Sequence, residues 1–170
     1  MGLSPLGTVH TAIALVAVVC AIFAFYREGT IPVRGRLGRT YVVTTIFTCV
    51  TAFGIFRHGG FGIAHVLAVL TLVAIAVAVA ADGTRLFGNA SRYVVTAAMT
   101  TTFFFHTIPG VVETSTRLPA RAPLFENDQA PGLQLIVAGL FGAYLIGIGY
   151  QILRMRAAGR LPPGAGNVPG

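Results

Sequence analysis

The chain has 170 residues, 55% of them hydrophobic and only 10% charged, with a mean hydropathy of +0.78. A soluble domain carries about a quarter charged residues and a disordered tail is poor in apolar ones, so both classes are excluded. All twelve basic residues are arginine and the net charge is +7; in a soluble chain this would point to nucleic acid, but its meaning here depends on where the apolar segments lie.

A helix needs about 20 mostly apolar residues to cross a bilayer core of about 30 Å. Five uncharged runs of that order occur, over residues 8–26, 40–56, 61–81, 93–112 and 133–153. A spanning segment must satisfy its own backbone hydrogen bonds, which makes helices the natural form. The sequence therefore predicts an all-α fold, an integral membrane bundle of five transmembrane helices forming one domain over 1–160, with a flexible Pro/Gly tail over 161–170. The first run reads as a retained helix and not a signal peptide, because no basic residue precedes it and no small-residue cleavage pattern follows it. The second is short, and its flanking Arg39 and Arg57 reach the headgroups by snorkelling.

The arginines set the expected orientation. Arg27, Arg34, Arg36, Arg39, Arg85, Arg92, Arg154, Arg156 and Arg160 fall on one side of the five spans, and Arg57, Arg117 and Arg121 on the other. The positive-inside rule then places the N-terminus outside and the C-terminus in the cytoplasm. With Glu28 and Asp82 inside and Glu113, Glu126 and Asp128 outside, all the net charge is cytoplasmic. It argues for a membrane surface and against nucleic acid.

Within the runs, small residues recur at helical spacing: Ala14, Ala17, Ala21 and Ala24; Ala64 and Ala68, then Ala74 and Ala78; and Gly139, Ala143 and Gly147. Such stripes let helices approach closely in lipid and are expected to be packing faces. Tyr41, Thr44, Thr48 and Thr51 line one face of the second run. Cys20 and Cys49 lie inside spans, where they act as small hydrophobes and no disulfide is expected.

The four histidines carry the functional signal. The topology puts His10, His58, His65 and His106 toward the outer membrane face, and Met99, Thr102, His106 and Glu113 share one face of the fourth run. Ionisable groups in a membrane are costly and by default serve a site in the bundle interior, and histidine ligates both metals and haem. His65, His106 and His10 are the candidate ligands of a b-type haem, while His58 and Glu113 join them as candidates for a transition metal. The competing reading is that each ring is neutral and bonded to a threonine or a carbonyl. Phosphate loops, zinc-protease and nucleophile-elbow motifs are missing, so no catalytic residue is assigned. No carboxylate lies at mid-membrane, where a proton-driven transporter would want one.

Gly29-Thr30, Leu37-Gly38-Arg39-x-Tyr41, Phe61-Gly62-x-x-His65-x-Leu67 and Thr71-Leu72 resemble the motifs of a bacterial family of small multi-pass membrane proteins whose shared domain has no assigned function. The resemblance covers roughly residues 27–100 and implies a location in the bacterial inner membrane. Family members tend to carry further histidines in the first cytoplasmic loop and before the fourth span. This chain has Val33-Arg34 and Ala90-Ser91-Arg92 there, so only His65 carries over. The expected function is a membrane protein holding haem b or a metal near the outer leaflet. The alternative is a non-catalytic accessory subunit or assembly factor, with partner membrane subunits or a homo-oligomer around it.

Overall fold

A computed structural model describes residues 4–56, 60–84 and 86–158. Arg57, His58, Arg85, Arg160 and the 161–170 tail lie outside the described residues. The fold is all-helical, with α1 (Pro5–Glu28), α2 (Gly35–Ala52), α3 (Ile63–Thr84), α4 (Ser91–Arg117) and α5 (Pro131–Ala158), and a single 3-10 turn, Gly88–Ala90, before α4. Among the described residues there is no strand.

The helices overrun most of the uncharged runs, because backbone capping and not hydrophobicity sets their ends. Ser4 accepts the Gly7 N–H and Pro5 opens α1, using the first-turn position where a missing N–H costs nothing. Gly29 closes α1 in the left-handed region at φ 73°, as helix ends commonly require. The second helix starts before Arg36 and Arg39 and ends at Ala52, four residues short of the run in the sequence.

Four helices, α1, α3, α4 with its preceding turn, and α5, are long and apolar enough to cross a membrane. The second falls outside that set: it has 18 residues and carries two arginines and five threonines. It is nevertheless part of the helix ring. Helix α1 packs on α2, α2 on α3, α3 on α4, and α1 returns to touch α4. The fifth helix packs on the outside of α4, and only Leu133 and Gln151 of its 28 residues are buried.

Small residues make the close contacts, as lipid-embedded packing demands. Ala17, Ala21 and Ala24 of α1 and Ala78 of α3 are wholly buried around Tyr41 and Met99. The small-residue stripe of α5 behaves differently. Gly139 and Ala143 are exposed, and side chains added at Gly139 or Gly147 would meet nothing within 4 Å.

Two ties fix the ring of helices. The Tyr41 hydroxyl shares a 2.7 Å hydrogen bond with Thr102 Oγ1, joining α2 to α4. Gln151 Oε1 accepts from Thr100 and its Nε2 donates to the Gly29 carbonyl, joining α5 to α4 and to the end of α1. At that same end Arg34 is hydrogen-bonded and ion-paired to Asp82; the bond and the carboxylate charge push the guanidinium up from its already high ordinary value.

The turn from α1 into α2 is equally tight. A Cβ at Gly38 would stand 2.0 Å from the Pro32 carbonyl oxygen, a backbone atom. Gly38→Ala is expected to destabilise the protein by about 1–3 kcal/mol, the range for overpacking, whereas Gly139→Ala in open space leaves it unchanged; reversible unfolding in detergent compares the two. Tyr41→Phe and Thr102→Val, run as a double-mutant cycle in the same assay, should show a coupling of about 0.6 kcal/mol, typical of interhelical hydrogen bonds in membranes.

Candidate functional site

The face of α4 predicted from spacing is the face that turns inward: Met99, Thr102 and His106 are buried. Glu113, two turns beyond, is ion-paired with Arg117 at 2.7 Å. The first helix brings His10 to the same end of the bundle. Its half-buried ring bonds through Nδ1 to Thr51 Oγ1 of α2 at 2.9 Å. The His106 ring lies 6.2 Å from the Tyr41 ring. His10 and His106 thus both face α2, His10 at Thr51 and His106 at Tyr41.

Hydrogen bonding assigns the proton on each ring. His106 Nδ1 meets the Thr102 carbonyl at 3.3 Å, and a carbonyl only accepts, so Nδ1 carries the hydrogen and Nε2 keeps its lone pair. That Nε2 is buried with no partner. Thr51 can direct its proton to the Phe47 or Thr48 carbonyls, and in that arrangement His10 Nδ1 donates to Thr51 and its Nε2 likewise holds a lone pair.

His65 is the opposite case. Gly62 N–H donates to its Nδ1 at 3.1 Å, so the proton of the neutral ring sits on Nε2. The ring is stacked against Phe56 and Phe61, with centroids 5.0 and 4.7 Å away, and tilted on Phe53. As the third residue of α3, reaching back to the N–H before the helix, it does the work of the glutamate in a capping box. In this tautomer it presents N–H, and no lone pair, to its surroundings.

Among the described residues no three His, Cys, Asp or Glu side chains converge on a point where a metal ion fits. His58, the fourth histidine of the sequence reading, lies outside them. Cys20 and Cys49 are free thiols. Two open grooves are present, one between α1, α4 and α5 and one around Arg34 and Asp82, and neither is lined by a histidine.

The chain matches no protein-family model, no curated protein sequence and no solved structure. Its site is therefore read from its own geometry.

Sequence reasoning missed the partners that fix each ring. Thr51 was legible only as one of a row of hydroxyls, and the Phe53, Phe56 and Phe61 cage depends on how the α2–α3 link folds. The Phe61-Gly62-x-x-His65 spacing did carry the signal of an N-terminal cap. His65→Phe, which keeps a stacked ring and removes the acceptor, is expected to lower stability by about 1 kcal/mol, the usual worth of a helix cap; His65→Gln, which restores an acceptor, should recover most of it in detergent unfolding.

Proposed function

We propose that this chain is a bacterial inner-membrane protein that crosses the bilayer five times, with its N-terminus outside, and holds a b-type haem near the outer leaflet through His106 and His10. The observation that carries the reading is the buried, unpartnered Nε2 of His106, its lone pair free, with His10 of α1 facing the same helix, α2, through Thr51. The donor count favours haem over a bare ion. A metal ion takes three or four protein ligands, whereas haem takes one or two, the porphyrin supplying the rest. Haem bound there supplies one-electron chemistry; the protein's part is to aim His106 through the Thr102 carbonyl, to aim His10 through Thr51, and to keep water out with the Tyr41 ring.

The five-span topology is supported by the course of α2. It runs from the Arg34–Asp82 pair at one end of the bundle to the His10–Thr51 bond at the other, so it crosses wherever its neighbours cross. Its polarity is tolerated because Thr44, Thr48 and Thr51 return their hydroxyls to carbonyls of their own helix. Arg36 and Arg39 lie in its first turns, level with the headgroups.

Purified in mild detergent, the protein should show a haem absorption spectrum that is lost in His106→Ala, weakened in His10→Ala and kept in His65→Phe. A transition metal by elemental analysis without a haem band would replace haem by the metal reading, and a colourless, metal-free protein refutes both. A fluorescent-protein fusion after Ala158 should light up in the cytoplasm, and a periplasm-dependent enzyme fused at the same point should stay inactive.

One observation favours a second reading, an accessory subunit of a larger membrane complex. On α5 the exposed Gly139 and Ala143, four residues apart, are spaced for close helix contact, and a Cβ at Gly139 would meet nothing in this chain. A partner protein co-migrating in native mass analysis after gentle solubilisation supports it, and a lone monomer counts against it.

A further inference from the structure

From the arginine-rich end, a groove of about 430 Å³ lined by no histidine opens between α1, α4 and α5 and reaches as far as Thr107 and Leu140. Its walls are apolar and aromatic, including Phe25, Phe103, Phe104, Leu140 and Tyr144, and Gly147 forms part of its floor. Leu140 and Arg154 both line it, about 21 Å apart at the rise of an α-helix. That is somewhat more than the roughly 15 Å of one leaflet of a 30 Å bilayer core, enough to reach from the headgroups to the midplane.

The mouth of the groove is cationic. Arg154 Nη1 lies against Gly29, where a Cβ would come within 2.4 Å of it, so the left-handed glycine that ends α1 also makes room for the guanidinium. Gly29's carbonyl is already taken by Gln151. Among the described residues Arg154 has no carboxylate partner. Polar groups deeper in the groove are mutually satisfied: Thr100 bonds Gln151, and Thr101 bonds Tyr144. The groove therefore offers an apolar channel with one unspent planar cation at its end, which is the charge pattern complementary to a phosphate ester on an acyl chain. An arginine fork matches phosphate in two-point geometry, and basic pockets between spans at the cytoplasmic side suit anionic headgroups.

We propose that the α1/α4/α5 groove is a binding site for one anionic phospholipid, its phosphate on Arg154 and an acyl chain lying along Gly147 toward Leu140. The site is independent of the haem reading, since no histidine lines it.

Native mass spectrometry of delipidated protein in detergent, titrated with phosphatidylglycerol or with phosphatidylcholine, tests it. Wild type should bind phosphatidylglycerol about fivefold more tightly, the factor expected of one arginine at a membrane surface. Arg154→Gln should remove that preference, and Arg154→Lys should restore part of it. Gly147→Leu projects into space where a Cβ meets no protein atom; it should keep the wild-type melting profile and weaken both lipids by filling the channel. Inorganic phosphate should not displace the bound lipid. Equal affinity for the two lipids in wild type, a preference surviving in Arg154→Gln, undiminished binding in Gly147→Leu, or displacement by inorganic phosphate would each overturn the proposal, the last by making the site one for free phosphate.

Discussion

Burial of the polar face of α2, a helix of 18 residues with two arginines and five threonines, is the constraint on which the rest of the bundle rests. A threonine hydroxyl buried without a partner is costly, and on α2 only Thr45 is left so among the described residues. Most of the others are returned to the helix's own carbonyls, and its largest polar side chain, Tyr41, is satisfied by Thr102 on α4. The alanine stripe of α1 then closes over it, since wholly buried Ala17, Ala21 and Ala24 let the two helices approach. His10 comes to Thr51 only because that approach is close.

From this arrangement the two ends of the bundle acquire different characters. One end holds Arg34 with Asp82, the Gly29 cap, Gln151 and Arg154; the other holds His10, His65, His106 and Glu113. The charged end fixes helices through backbone caps and an exposed ion pair, contacts of modest energy in water. At the histidine end the bonds lie in a low-dielectric setting, where an orphaned ring nitrogen is costly. His65 Nε2 and His106 Nε2 are both buried without a partner, but the hydrogen bonds at Nδ1 leave a lone pair on that nitrogen only in His106.

The residues that carry the family resemblance take conformational roles. Gly29 adopts the left-handed cap, Gly38 lies under the Pro32 carbonyl, Tyr41 ties two helices, and His65 caps α3. Each is needed for the chain to turn or pack as it does, whatever ligand it carries. The histidine that the resemblance marks is thus the one whose lone pair is engaged by the backbone, while in His106, outside those motifs, Nδ1 faces the Thr102 carbonyl and the lone pair on Nε2 stays unengaged.

The sequence by itself determined the helices, because twenty-residue apolar runs and lone prolines and glycines act locally through backbone hydrogen bonding. It also determined that Met99, Thr102 and His106 share a face, a consequence of the 3.6-residue repeat alone. Helix ends were less legible, since Ser4 and Gly29 set them by capping and not by hydrophobicity. Only the tertiary structure decided that α2 packs between α1 and α3 with α5 outside on α4, that Gly139 faces open space, and which ring nitrogen of His10, His65 and His106 carries the proton. Those outcomes depend on contacts between residues such as Tyr41 and Thr102, or Gly29 and Gln151, that stand far apart in the chain, and no local periodicity encodes which face meets which.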